Sequence, residues 1–258
     1  MAKFQNIQFV TDDRVARITL ARPPLNILNI ATMREILGVV NDCAHRRDLA
    51  AIVFDAAAGS KAFSAGVAVE DHTPDRVFQM LDTFHSIFRS LVQAAKPTVA
   101  VVDGPALGGG CELMLACDLV IASSRARFGQ PEIKLGVFPP IAAILLPRAI
   151  GEKRAAELIL TGELIEPEEA LRLGLVNYVV PPEDLESKTN ELLAKLRELS
   201  ASSLVMARSA LDLATRKNFE SLVQEVENLY LHELMRTSDA DEGVRAFMEK
   251  RKPEWRNK

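Results

Sequence analysis

The run Thr98-Val-Ala-Val-Val-Asp-Gly-Pro-Ala-Leu-Gly-Gly-Gly-Cys-Glu-Leu-Met-Leu-Ala-Cys-Asp118 decides the fold class. Thr98 to Val102 is apolar on both faces, as a strand inside a parallel sheet must be. Three consecutive glycines, Gly108 to Gly110, lead from it into an apolar helical stretch. Strand, turn and helix in that order are the grammar of an α/β fold. Outward from this run the same alternation recurs. Val15 to Leu20, Ala51 to Asp55 and Leu119 to Ala122 read as strands. Ala31 to Arg47 carries Met33, Ile36, Leu37, Val40 and Ala44 at helical spacing, and Asp75 to Ala95 does so with Phe78, Leu81, Phe84, Phe88 and Leu91.

Past Gly151 the pattern turns helical: Glu152 to Leu160, Pro167 to Leu173, Glu183 to Leu199, Ser202 to Arg216, Phe219 to Met235 and Asp239 to Lys250. Pro167 suits a first helical turn. A soft boundary near residue 200 therefore divides a strand–helix core, 1–200, from a C-terminal helical region, 201–258. The recurring rhythm fits stacked turns and fits a Rossmann-like sheet equally well.

Composition narrows the function classes. The chain has 258 residues, 48% hydrophobic and 26% charged, enough for one large domain or one domain with an appendage. The net charge of −4 speaks against nucleic acid or an anionic membrane surface as partner. Three cysteines, Cys43, Cys111 and Cys117, make neither a disulfide framework nor a zinc ribbon and read as buried apolar thiols. The N-terminus shows no apolar signal core, and no run is long enough to span a bilayer. A protein of the cytoplasm is expected.

Glycines before a helix let a ligand approach the backbone, and the first helical N–H groups have no internal partner. The combination suits negative charge, including charge that develops during a reaction. Tight turn packing explains the glycines alone slightly better, and the spacing matches neither GxGxxG nor GxxxxGK. Glu112 shifts the balance, being the charged residue among Cys111, Leu113, Met114 and Leu115. The helix dipole favours an acid there, yet apolar surroundings raise a carboxyl pKa and suit acid–base work. Glu132, in Phe128-Gly-Gln-Pro-Glu132, reads by itself as a loop carboxylate in water. Lys61-Ala-Phe-Ser-Ala-Gly-Val67 is a small-residue turn that offers another backbone N–H, and Ser64 lies outside any GxSxG elbow. His45, His72, His85 and His232 show no metal spacing, and Glu70-Asp71-His72 reads as a solvated loop. Lys250-Arg251-Lys252 reads as a soluble terminus and Trp255 as a packing anchor.

Taken together, Ala106-Leu-Gly-Gly-Gly-Cys-Glu112, Phe128-Gly-Gln-Pro-Glu132 and Ala62-Phe-Ser-Ala-Gly66 resemble the crotonase (enoyl-CoA hydratase/isomerase) superfamily in order and spacing. Arg22-Pro-Pro-Leu-Asn26 and Phe247-Met-Glu-Lys-Arg-Lys-Pro253 extend the likeness over nearly the whole chain. No piece is specific; the combination is. The resemblance implies a spiral core of ββα turns and a C-terminal helical region used in trimers, which pair into hexamers. It implies an acyl-CoA thioester ligand and no metal or separate cofactor. Carried over by position, Val67 and Gly109 supply the oxyanion-hole N–H groups, and Glu112 and Glu132 hold water and move a proton. Ala65 and its neighbours, with Leu25 and Asn26, line the CoA groove through backbone contacts, with Lys61 and Gly108 beside it; Phe138, Pro140 and Ile141 shape the acyl pocket.

Two departures from the family pattern stand out. Gly66-Val67-Ala68 replaces the frequent Gly-Ala-Asp, and Gly136-Val-Phe-Pro-Pro-Ile-Ala-Ala-Ile144 replaces a glycine-rich stretch. The second change stiffens the pocket and, with Pro-Pro-Leu-Asn-Ile-Leu-Asn29, looks most like the cyclohexa-1,5-diene-1-carbonyl-CoA hydratase branch, whose members act in anaerobic breakdown of aromatic acids. Hydration is thus the leading expectation. Double-bond isomerisation or thioester hydrolysis on the same scaffold is the alternative, and a non-catalytic RNA-binding relative is a third reading that the acidic charge disfavours.

Overall fold

The computed structural model describes residues 4–215 and 219–255. Its elements, in chain order, begin with β1 (Ile7–Asp12), β2 (Val15–Leu20), α1 (Ile30–Ala44), β3 (Ala51–Ala56), α2 (Val77–Ala94), β4 (Thr98–Val102), β5 (Pro105–Leu107) and α3 (Gly109–Leu115). There follow β6 (Leu119–Ser123), β7 (Arg127–Gly129), α4 (Pro140–Ile150), α5 (Glu152–Thr161), β8 (Leu164–Ile165), α6 (Pro167–Leu173) and β9 (Tyr178–Val180). The C-terminal part contributes α7 (Leu185–Arg197), α8 (Ala201–Thr215), α9 (Phe219–Asn228) and α10 (Ser238–Met248). Arg216, included in the expected Ser202 to Arg216 helix, lies outside the described residues.

The main sheet has the order β1-β2-β3-β4-β6-β9; β1 and β2 form an antiparallel hairpin and the remaining pairs are parallel. A second sheet, β5-β7-β8, lies beside it. The two sheets define the coils of a spiral. β4 and β6 neighbour each other in the main sheet, while their successors β5 and β7 neighbour each other in the second. Single bridges continue that second sheet into the earlier coils, Ser64 to Ala106 and Leu28 to Val67. Strand, short strand and helix thus repeat coil upon coil, in agreement with the ββα expectation and not with a Rossmann-like sheet.

Alternation along the strands explains why both faces are covered. Ile52, Phe54, Ala100, Val102, Val120 and Ala122 point into one core with α1 and α2. Val53, Val99, Val101 and Ile121 point the other way, onto Leu185 and Leu193 of α7. β4 is consequently buried along its whole length. Each fully buried Phe, Ile or Leu contributes about 1.5–3 kcal/mol, against roughly 0–1 kcal/mol for an exposed ion pair; apolar burial dominates the ledger. Local signals set the ends: the Asn29 side chain caps α1 by accepting from Thr32 N, and Ala95 closes α2 with φ 50°.

The C-terminal part does not form a core of its own. Phe219, Val223, Tyr230 and Ala240 are buried in the cluster that holds α1 and α2. The expected single helix from Phe219 to Met235 is broken. After α9 the chain takes one π-helical turn, Leu229–Glu233, and one 3₁₀ turn, Leu234–Arg236. A further expectation is corrected in part. Of Glu70-Asp71-His72 only Glu70 is exposed: Asp71 accepts from Ile30 N at 3.0 Å, and both Asp71 and His72 are buried. Residues 140–150 form helix α4 with Pro140 at its first position. All three cysteines are buried. Trp255 packs near Gly136 and Gly243, and Arg251 pairs with Glu242. Among the described residues no helix is long and apolar enough to cross a membrane.

Candidate active site

The register of the second sheet brings the site together. Leu107 pairs with Gly129, and Gly108 N donates to Gly129 O at 3.0 Å. From these paired ends the chain reaches Glu112 in the first turn of α3 and Glu132 in the 3₁₀ turn Pro131–Leu135. Twenty residues apart in sequence, the acids therefore sit at neighbouring positions on successive coils and line one cavity of about 380 Å³. Its other walls are mostly apolar, with Leu81, Phe84, Phe138, Pro139, Pro140 and Tyr230 prominent. Small-molecule sites commonly occupy ≈ 300–1,000 Å³ with such a lining.

Two of the glycines exist for close approach. A Cβ on Gly108, where φ is 51°, would stand 2.5 Å from Glu132 Oε1. A Cβ on Gly109 would stand 2.6 Å from Val67 Cγ2 and 3.3 Å from Val67 N. The absence of both side chains lets the acid lie against the backbone and brings the Val67 and Gly109 amides side by side. Among the described residues neither of those N–H groups donates a hydrogen bond.

The two acids differ in what surrounds them. Glu112 is 3% exposed, and its Oε1 accepts from Ala142 N at 2.8 Å. Ile141 N also faces it, so the opening N–H groups of α4 are satisfied by this carboxylate. Burial raises the Glu112 pKa, and those two N–H groups partly offset the rise. Glu132 is half-buried as a residue, but its Oε2 is closed to solvent and has no partner among the described residues. Burial and then the negative charge of Glu112 hold its carboxyl well above the usual range. Two such carboxyls do not ionise together cheaply, and they titrate as a pair. Within the pair, the two N–H donors on Glu112 favour charge there, and the unpartnered Oε2 gives Glu132 no comparable stabilisation.

The structure brings Glu112, Glu132, Val67, Gly109, Ala65, Gly108, Phe138 and Pro140 onto the cavity. Leu25 and Lys61 are exposed and stand off its wall. Asn26 is corrected from a groove contact to a strut: it is 1% exposed, its Oδ1 accepts from Arg22 N, and its Nδ2 donates to Ala62 O and Phe63 O. It thereby fixes the Ala62–Gly66 turn. Ile141 is likewise corrected, since its side chain is core and only its N–H faces the site. Sequence reading missed His72, Phe84, Tyr230 and Phe247 as wall residues. His72 Nδ1 lies 3.0 Å from Ala68 O, and burial lowers its pKa. Phe84 had a signal in the α2 stripe; Tyr230 had none, because the π turn that aims it inward leaves no mark on apolar spacing.

The enoyl-CoA hydratase/isomerase family model matches residues 11–258. The chain belongs to this family. The enzyme is 40% identical to a probable enoyl-CoA hydratase of Mycobacterium bovis, over 98% of each chain. It is 38% identical to a cyclohexa-1,5-dienecarbonyl-CoA hydratase of Thauera aromatica, over 96% of this chain and 95% of that one. Among solved structures, an enoyl-CoA hydratase from Mycobacterium avium subsp. paratuberculosis superposes with a TM-score of 0.89 at 27% identity, covering 99% of this chain and 100% of the other.

Proposed function

We propose that the enzyme adds water across a carbon–carbon double bond conjugated to a CoA thioester. The observation that carries this reading is the pair of carboxyls on one cavity, one held by backbone donors and one with a buried oxygen left unpartnered, beside two uncommitted amides. Val67 N–H and Gly109 N–H receive the thioester oxygen as it gains charge; a donor of this kind contributes about 3–4 kcal/mol to lowering the barrier. Glu112, held as carboxylate, takes a proton from the attacking water while the water oxygen bonds the β-carbon. The π pair moves toward the thioester oxygen, and Glu132 returns its proton to the α-carbon. No metal or separate cofactor enters these steps.

The acyl group we propose is a cyclic dienoyl. Support comes from the stiff, flat walls of Phe84, Phe138, Pro139, Pro140 and Tyr230, which favour a ring over a flexible chain, and from the likeness to the Thauera aromatica hydratase. A homotrimer or homohexamer in the cytoplasm completes the reading; exposed Leu199, Met206, Phe247 and Met248 offer apolar surface for assembly. The test incubates the protein with crotonyl-CoA and with cyclohexa-1,5-diene-1-carbonyl-CoA, followed by mass spectrometry. A product one water heavier is expected from both, faster from the cyclic substrate. Absence of a water adduct from both rejects hydration, and a shifted double bond without added mass would identify an isomerase instead.

A further inference from the structure

Tyr230 belongs to the C-terminal part of the chain yet forms wall of the cavity. It sits in the single π-helical turn Leu229–Glu233. Such turns occur frequently at functional sites. Here the turn aims the ring inward: Tyr230 is 1% exposed and packs edge-on against Phe138, with ring centres 5.3 Å apart and planes at 67°. Its hydroxyl is closed to solvent and has no partner among the described residues. A phenylalanine would fill the same space and make the same ring contact without a buried, unpaired hydroxyl. Glu132 Oε2 is a second unpartnered buried atom at this cavity. Burial, then the charges of Glu132 and Glu112, push the Tyr230 phenol well above its ordinary range and keep it a donor.

We infer that the Tyr230 hydroxyl is a third protein partner of the water that adds to the double bond, an inference that rests on the hydration reading above. A water molecule has two protons and two lone pairs. Its two O–H groups donate hydrogen bonds, one to Glu112 and one to the unprotonated oxygen of Glu132; one lone pair accepts from Tyr230, and the other is left to face the β-carbon. Pro139 and Pro140, on the same wall, bring no N–H, and Ala142 N is already committed to Glu112. As the water proton passes to Glu112 the oxygen becomes hydroxide-like, and the phenol donor stabilises it. The oxygen pair forms the C–O bond, the π pair moves to the thioester, Glu132 protonates the α-carbon, and the Tyr230 proton stays on the phenol throughout.

The test is Tyr230→Phe, which removes one oxygen atom and keeps the ring. Hydration of the best substrate, thermal melting and the affinity for butyryl-CoA, a saturated ligand that needs no water, are measured on both proteins. Lost orientation of a reactant lowers kcat steeply, and we expect a fall of about tenfold or more with KM and butyryl-CoA affinity unchanged and melting temperature equal or higher. Wild-type turnover in the variant overturns the inference while leaving the hydratase reading intact. A kcat loss accompanied by an equal loss of butyryl-CoA affinity, or by a lower melting temperature, also overturns it, because the residue is then only a packing element. A wild-type protein that yields no water adduct overturns both readings together.

Discussion

Because burial and the charge of Glu112 both oppose ionisation of Glu132, the folded chain holds that proton at pH values where an unfolded chain has released it. Between the ordinary carboxyl value of 4.5 and the raised folded value, the native state binds more protons than the unfolded one. Stability from this group is then full at low pH and falls as pH rises, by at most about 1.4 kcal/mol per pH unit. His72 and His85 act in the opposite sense, since burial lowers both and their cost is relieved as pH rises. Comparison with Glu132→Gln isolates the acid. The melting-temperature advantage of that variant should grow from about pH 5 to about pH 8, while its turnover drops roughly a hundredfold or more. A variant no more stable than wild type at the higher pH would refute the assigned proton. Turnover itself should follow a bell, falling in acid as Glu112 gains a proton and in alkali as Glu132 loses one; a stopped-flow or steady-state pH profile reads this directly.

Among the elements, α3 is tightly constrained. A Cβ on Gly110 would stand 2.5 Å from Ser64 O and 2.6 Å from Ser64 Cβ, in the neighbouring coil. Backbone does not yield as a side-chain tip does, so Gly110→Ala should destabilise by on the order of 1–3 kcal/mol and displace Gly109 and Glu112 with the helix. Gly38, exposed in α1 with nothing within 4 Å of its would-be Cβ, is the control. Gly38→Ala should stabilise by about 0.5–1 kcal/mol, and thermal or urea melts of the two variants should move in opposite directions. Equal effects would mean that the coil contact is not what selects glycine. Elements with long periodic patterns were legible in sequence: β2, β3, β4 and β6 by apolar runs, α1 and α2 by their stripes. The second sheet was not, because three-residue strands and single bridges such as Ser64 to Ala106 are too short to carry a period. Glu112 and Glu132 were legible as candidates, but residue 132 reads as solvated until β5 and β7 are seen to pair. The side-chain role of Asn26 was not legible, because a motif does not show that the residue is buried or what its amide bonds.

At the scale of the molecule, the C-terminal part is tied to the site through α2. His85, fully buried on α2, lies with Nδ1 2.6 Å from Glu227 Oε1 on α9, and Arg89 reaches both Glu227 and Glu220. Glu227→Ala would leave a buried imidazole without its acceptor, at a cost of about 1–3 kcal/mol. The loss loosens the segment that carries Tyr230, so KM should rise together with the fall in melting temperature, while Glu227→Gln, which still accepts from His85, should lose less. Unchanged melting and KM in Glu227→Ala would show that this ion-paired staple carries no weight.

The stacking of coils has a consequence for how such an enzyme changes its chemistry. Each group proposed to act hangs at the same phase of its own coil: the amide of Val67 on one, Gly109 with Glu112 on the next, Glu132 on the one after. The positions are like tools on adjacent pegs of a rack. Exchanging the side chain at one peg leaves its neighbours hung where they were, so a new reaction can arise from a single replacement without the scaffold being rebuilt.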